Sequence, residues 1–181
     1  MPYSVLRNVE LPANFSQRKV EIINKLGYAM VSRVYLQAKK RSWEEKGLNG
    51  FAITSGGIEI WQPTWNQPGP RGILMTYNRP GEAERILAMK PEERINSTLN
   101  NLGQWFPGLQ ENFERGASWC WAEDEWARGA WAFIGLRDIV PASSAEGRIH
   151  FAGEHLSRWA SWMQGALDSS ERVVKEINAA A

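Results

Sequence analysis

Arg148-Ile149-His150-Phe151-Ala152-Gly153-Glu154-His155, followed after a short spacer by Ser161-Trp162-Met163-Gln164-Gly165-Ala166, carries more structural information than any other part of the chain. Arg148–Phe151 reads as a short strand, Gly153 turns it, and a helix runs from Ser161 to Ala179. The helix is argued from its apolar face, on which Met163, Ala166, Leu167, Val173, Val174 and Ile177 recur at helical spacing. Glu154, just after the strand and its glycine, can accept hydrogen bonds from hydroxyls of a bound molecule; otherwise it is a solvated loop acid or a helix cap.

Upstream of this unit, residues 122–147 read as irregular and Phe113–Trp121 as a strand. Pro80–Met89 and Pro91–Trp105 each open on a proline, whose missing N–H costs nothing in a first helical turn, and each carries acids there. Two helices are expected, the second presenting Ile95, Leu99 and Leu102 on one face. Gly50–Thr54, Ile58–Gln62 and Gly72–Asn78 are strand candidates, parted by Ser55-Gly56-Gly57 and by the Pro/Gly-rich loop Pro63–Arg71. Gly56-Gly57 reads as a hairpin turn, so these strands should be antiparallel. A long strand is expected over Tyr28–Ala38, between a glycine and the basic run Lys39-Lys40-Arg41. A helix is expected over Gln17–Leu26, entered at the polar break before it and stopped by Gly27. Residues 2–11 mix strand and turn character.

The totals exclude several classes of partner. A net charge of +1, from 21 basic and 20 acidic residues with no basic stripe, gives no electrostatic footprint for nucleic acid. One cysteine, Cys120, and two histidines are too few for a structural metal site and allow no internal disulfide, which suits a reducing, cytoplasmic setting. No apolar run approaches the roughly 20 residues needed to cross a bilayer, so no membrane association is expected. Ten tryptophans in 181 residues stand out, because large amphipathic rings are placed where something flat or apolar is gripped. For Trp43, Trp61, Trp65, Trp105, Trp119, Trp126 and Trp159 the default is a core or interface position.

The closing unit, with Trp162-Met163-Gln164-Gly165-Ala166 its most distinctive part, resembles the C-terminal FAD signature of flavin-dependent amine and L-amino-acid oxidases. Further stretches agree in order: Pro2-Tyr3-Ser4-Val5-Leu6-Arg7, then Val34-Tyr35-Leu36-Gln37 with Trp43, then Trp121 to Trp126 leading into Gly129-Ala130-Trp131. The agreement is weakest between residues 60 and 112. The N-terminal half of that family opens on a strand, a G-x-G-x-x-G turn and a helix that hold the cofactor pyrophosphate. Neither Gly56-Gly57 nor Gly69 to Gly72 matches it.

The resemblance therefore implies the C-terminal half of such an oxidase, with an α/β (α+β) fold and a mixed, largely antiparallel sheet flanked by helices. It divides the chain into a linking segment 1–28, a substrate-binding domain 29–140 and a C-terminal strand and helix of the FAD domain, 141–181. It implies FAD contacts at Gly153, Glu154, Ser161, Trp162, Met163 and Ala166, the helix start supplying N–H groups and a favourable dipole to the flavin. Trp131 and Trp162 would flank the substrate nitrogen, with Trp121 also in the pocket. Arg33, ten residues before Trp43, stands where the family usually has a lysine holding a water near the flavin. An arginine is a poor base but a good carboxylate ligand, so its role shifts towards an amino-acid substrate, or it is an outward charge on a strand. Ala130 stands where covalent members carry the flavin-linked cysteine, which implies non-covalent FAD. His155 is at most a cofactor neighbour.

The implied reaction oxidises an amine or L-amino acid to the imine and reduces O2 to hydrogen peroxide. The implied partners are the N-terminal FAD-binding half, a small-molecule amine or amino acid, and a second copy of the chain if exposed apolar faces self-associate. The rival readings are a non-catalytic, tryptophan-rich binding module and a degenerate, inactive piece.

Overall fold

The computed structural model describes residues 1–180. In chain order the elements are α1 (Tyr3–Leu6), α2 (Gln17–Lys25), β1 (Gly27–Tyr28), β2 (Ser32–Ala38), β3 (Ala52–Ile53), β4 (Glu59–Trp61) and β5 (Gly72–Asn78). There follow α3 (Glu82–Leu87), α4 (Pro91–Gly103), α5 (Leu109–Asn112), β6 (Phe113–Cys120), β7 (Ala132–Phe133), α6 (Leu136–Ser143) and α7 (Met163–Ala180). They form two compact units, one of residues 1–29 with 121 onward, the other of Met30–Cys120. The fold is α/β with antiparallel sheets and flanking helices, as expected.

The unit Met30–Cys120 is built on a five-stranded antiparallel sheet in the order β3-β4-β5-β2-β6. Strict alternation in β2 sends Val34, Leu36 and Ala38 into the core and leaves Arg33, Tyr35 and Gln37 half-buried on the opposite face. The core side is closed by Trp43, Ile86, Leu102, Phe106 and Leu109, with Ile95 and Leu99 of α4 packed at its edge. The hairpin at Gly56-Gly57 and both proline-led helices occur as expected. The strand at Tyr28–Ala38 is shorter than expected. Ladder pairing begins at Ser32, and Gly27–Tyr28 pairs instead with β7 in the other unit's small sheet.

In the unit formed by the chain ends, α2 is entered at Ser16, whose hydroxyl accepts the Lys19 N–H at 3.3 Å. Its core comprises Tyr3, Ile22, Ile23, Leu26, Ala132, Ala142, Phe151 and Leu156. Lys19 lies fully buried among them, its ammonium over the Phe151 ring at 3.9 Å and bonded to the carbonyls of Ala142 and Ser144.

Several expectations are corrected here. Residues 3–6, within the stretch read as mixed strand and turn, form a helical turn. Arg148–Phe151 joins no ladder and has only an isolated bridge between Glu146 and Ile149. The Phe151 carbonyl is instead taken by Arg172 Nη2 at 2.7 Å. Residues 122–147 are not wholly irregular, since they contain β7 and α6, the latter disguised in the sequence by Pro141 inside it. Of the seven tryptophans expected in the core or an interface, Trp43 is fully buried, whereas Trp61, Trp65, Trp105, Trp119, Trp126 and Trp159 are 46% to 71% exposed.

Candidate functional site

Gly153 ends the extended segment and a single 3-10 turn, Glu154–Leu156, follows. The Gly153 N–H donates to the buried Ser169 hydroxyl of α7 at 2.9 Å, which fixes the turn against the helix. Gly165 is needed for the same approach, because a Cβ there would lie 2.3 Å from the Trp159 carbonyl oxygen. Backbone does not give way as a flexible side chain does, so any larger residue must shift the turn before α7.

Glu154 spends its carboxylate on backbone. Oε1 accepts the Ala132 N–H at 3.1 Å and Oε2 accepts the Ser161 N–H at 2.6 Å. Ser161 stands at φ 73°, a left-handed conformation that costs a non-glycine residue about 1 kcal/mol, and the charge-assisted bond helps to hold it there. Trp162, Met163 and α7 follow, with Trp162 68% and Met163 81% exposed. The Trp162 N–H is occupied by the Trp159 carbonyl at 3.2 Å. Ala166 is half-buried on the helix, and its carbonyl accepts the Ser169 and Ser170 hydroxyls.

Trp131 is half-buried between two anchors. Its carbonyl accepts the Ala29 N–H at 2.7 Å, and its neighbour Ala132 is held by Glu154. The Trp121 carbonyl accepts the Gly129 N–H at 3.0 Å, which joins this third tryptophan to the same loop. The segments bearing Trp121, Trp131 and Trp162 are thus linked around Glu154. Arg33 lies in the other unit, in a cross-strand row with Tyr77 and Trp119. Its guanidinium packs 4.7 Å from the Tyr77 ring centre and donates to Met75 Sδ at 3.2 Å, and among the described residues it has no carboxylate partner.

Next to Glu154 opens a cleft of about 340 Å³ lined by Tyr28, Trp126, Gly129, Ala130, Gly153 and His155 among others. His155 is only 4% exposed and rests edge-on against Tyr3, ring centres 4.7 Å apart. Burial pushes its imidazole down to about 4, so the ring is neutral at pH 7. Its Nε2 is sealed from solvent without a hydrogen-bond partner among the described residues. Such an orphan costs about 1–3 kcal/mol. Tyr28 keeps its phenolic proton at ordinary pH, because burial pushes it up to about 12, and its oxygen accepts the Tyr3 N–H at 2.8 Å. Sequence reasoning missed Tyr28 and Ser169, which carry no local motif and act only through contacts distant in sequence. Among the described residues, no cluster of three or more His, Cys, Asp or Glu is placed to hold a metal ion, and no helix is long and apolar enough to cross a membrane.

Comparison with known proteins places this geometry. The family described as flavin containing amine oxidoreductase matches residues 1–178. The flavin-dependent L-tryptophan oxidase of Lentzea aerocolonigenes is 31% identical over 99% of this chain and 40% of its own length. A putative L-amino-acid oxidase of Bacillus subtilis is 34% identical over 98% of this chain and 40% of its own length. This chain thus spans about two fifths of these relatives. Among solved structures, a putrescine oxidase triple mutant superposes with a TM-score of 0.84 at 21% identity, covering 99% of this chain and 42% of the other. The cyclohexylamine oxidase of Brevibacterium oxydans gives 0.83 at 17% identity, over 98% and 42%.

Proposed function

The chain belongs to the flavin-containing amine oxidoreductase family, and we propose that it forms part of an FAD-dependent oxidase converting an L-amino acid, or an amine, to its imine with hydrogen peroxide as co-product. It spans about 40% of its curated relatives, so the reading includes a dinucleotide-binding half, on the same precursor or on a separate chain. The observation that carries the reading is the cleft beside Glu154, lined by Gly129, Ala130, Gly153 and His155 at the closing motif.

This wall fits a flavin in its chemistry. Gly129, Ala130 and Gly153 leave its wall without bulky side chains, and Tyr28, Trp126 and His155 offer flat rings along it. Gly153, Glu154, Ser161, Trp162, Met163 and Ala166 would border the group, with the positive end of α7 favouring negative charge on it. Ala130 lines the cleft and offers no thiol, which supports non-covalent attachment. When bound, FAD supplies the two-electron acceptor and passes the electrons to O2.

The chain's own residues bind and orient. Trp131 and Trp162 would set their faces to the substrate nitrogen and keep water from it. Arg33 would take a substrate carboxylate, since its planar fork suits that group and no protein acid competes for it. That last point, and the names of the two relatives above 30% identity, favour an amino acid over a simple amine. The exposed stripe Met163, Leu167, Val174 and Ile177 on α7 supplies an apolar face for the other half.

Co-expression with a polypeptide carrying the G-x-G-x-x-G half tests the proposal. A yellow complex that makes peroxide from L-amino acids faster than from the matching decarboxylated amines is expected. A colourless complex, or two separate proteins, would reject the oxidase reading in favour of a tryptophan-rich binding module.

A further inference from the structure

We infer that the open face of the large sheet carries a recess for an aromatic side chain, one row along from Arg33, which makes the substrate class an aromatic L-amino acid. The inference rests on the reading of Arg33 as carboxylate ligand given above. The recess holds about 180 Å³ and is lined by Tyr35, Gln37, Ile73, Arg115, Gly116 and Ala117. Pockets for whole ligands run to roughly 300–1,000 Å³, so this volume suits one substituent of a molecule gripped elsewhere.

Strand periodicity makes the recess. Arg33, Tyr35 and Gln37 alternate out of the core along β2 and stand opposite Trp119, Ala117 and Arg115 of β6. Ala117 is the small member of its row, flanked two residues either way by Arg115 and Trp119. One methyl among long side chains leaves the hollow. Its floor is backed from the core side by α4, where Ile95 packs so closely that a Cβ on Gly116 would lie 2.6 Å from its Cγ2.

The walls decide what enters. Gln37 accepts the Arg115 Nε–H at 3.4 Å and donates to Glu114 at 2.7 Å, and Glu114 also accepts from Arg71 at 3.0 Å. The neighbouring acid is thus spent on protein partners and offers nothing to a cationic side chain. A polar side chain would give up water for walls whose hydrogen bonds are already made, whereas a ring has none to give up. Tyr35 and Ile73 supply apolar surface, and the planar guanidinium of Arg115 suits the face of a ring. Reach fits as well. Tyr35 lies about 7 Å beyond Arg33 at the rise of a strand, and two carbons part the carboxylate of an aromatic amino acid from its ring. The methyl of alanine stops short of that row.

In the assembled oxidase, Ala117→Leu fills the recess and should lower the ratio of kcat/KM for L-tryptophan to that for L-alanine at least about tenfold. Ala117→Val should lower it less. A ratio taken within one variant cancels any loss of folded protein. In the chain by itself, the δ1 methyl resonance of Ile73 should move saturably with L-tryptophan and stay in place with L-alanine. In Ala117→Leu it should no longer respond to L-tryptophan.

An unchanged ratio in Ala117→Leu, or an Ile73 methyl that L-tryptophan leaves unmoved, would overturn the recess. If the wild-type complex makes no peroxide, the oxidase reading fails, and the Ile73 titration alone decides whether the recess takes an aromatic amino acid.

Discussion

The two units hold themselves together by different means. Met30–Cys120 is joined by backbone ladders, with β2 paired along its whole length to β5 on one side and β6 on the other. The unit of the chain ends has one two-residue ladder and is bound instead by side chains reaching distant backbone. Lys19 and the Tyr3 hydroxyl both reach the Ala142 carbonyl, Arg172 reaches those of Ser143 and Phe151, and Glu154 holds Ala132 and Ser161. Their surfaces differ too. In the second unit whole helical faces stay uncovered, with Leu136 and Val140 on α6 and Met163 and Leu167 on α7 between 67% and 81% exposed. A ladder satisfies backbone in bulk and tolerates side-chain change, whereas a side-chain tie makes one residue responsible for two segments.

The largest effect should come from the ladder unit's core. Trp43 is fully buried, packs edge-on against Phe106 at 6.4 Å, and donates to Gln62. Trp43→Ala should cost about 4 kcal/mol and abolish cooperative unfolding of that unit, read by denaturant titration. An intact transition would show that the sheet does not depend on this core.

Acid should separate the units next. His155 titrates near 6.5 when unfolded and about 4 when folded, so between those values the unfolded chain binds the extra proton. Its contribution is complete above about pH 6.5 and is lost as pH falls to about 4, a loss on the order of 3 kcal/mol. Glu146 and Glu176, held below the usual carboxylate range by hydrogen bonds from Ser16 and His150, continue the loss at lower pH. In the sheet unit Glu114 is held down to about 2 by Arg71, so its own acid limb lies lower. Urea midpoints against pH should show the chain-end unit failing first, and His155→Gln should flatten its upper limb. Equal midpoints at pH 4.5 would sink the distinction.

This difference in construction also explains what could be read from sequence. The hairpin, β5, α4 and β6 announce themselves through alternation, glycine turns and proline starts, because a ladder or helix repeats one rule along consecutive residues. The ties of the other unit follow no period. Nothing near Lys19 predicts its burial against Phe151, and nothing near Ser169 predicts that it holds Gly153. Arg148–Phe151 has a strand's composition, yet Arg172 rather than a neighbouring strand takes the Phe151 carbonyl. Glu154 and Ser161 were legible as site residues through the resemblance, but their bonding to each other depends on a left-handed turn that serine does not advertise. Of the seven tryptophans read as core or interface residues, Trp43 alone lies in the core, because composition counts rings without saying which face water.

Between these extremes lies Gly165→Ala. The added methyl would collide with the Trp159 carbonyl, so a loss of about 2 kcal/mol confined to the chain-end unit is expected by thermal melting. A neutral result would mean that the turn before α7 is looser than its contacts imply.

The smallest expected effect is the most specific. Arg33 belongs to the ladder unit, where its backbone pairing with Tyr77 and Trp119 does not depend on its side chain. Arg33→Met should therefore leave the fold intact, since the lost packing on Tyr77 is replaced by another flexible chain of similar reach. In the assembled oxidase it should raise KM for an L-amino acid about tenfold, near 1.4 kcal/mol, because a charge-assisted carboxylate bond disappears. The matching decarboxylated amine, with no carboxylate to lose, should be oxidised as before or slightly better. Parallel losses on both substrates would instead assign Arg33 to the geometry of its sheet row, and would remove the main reason for placing carboxylate recognition in the ladder unit.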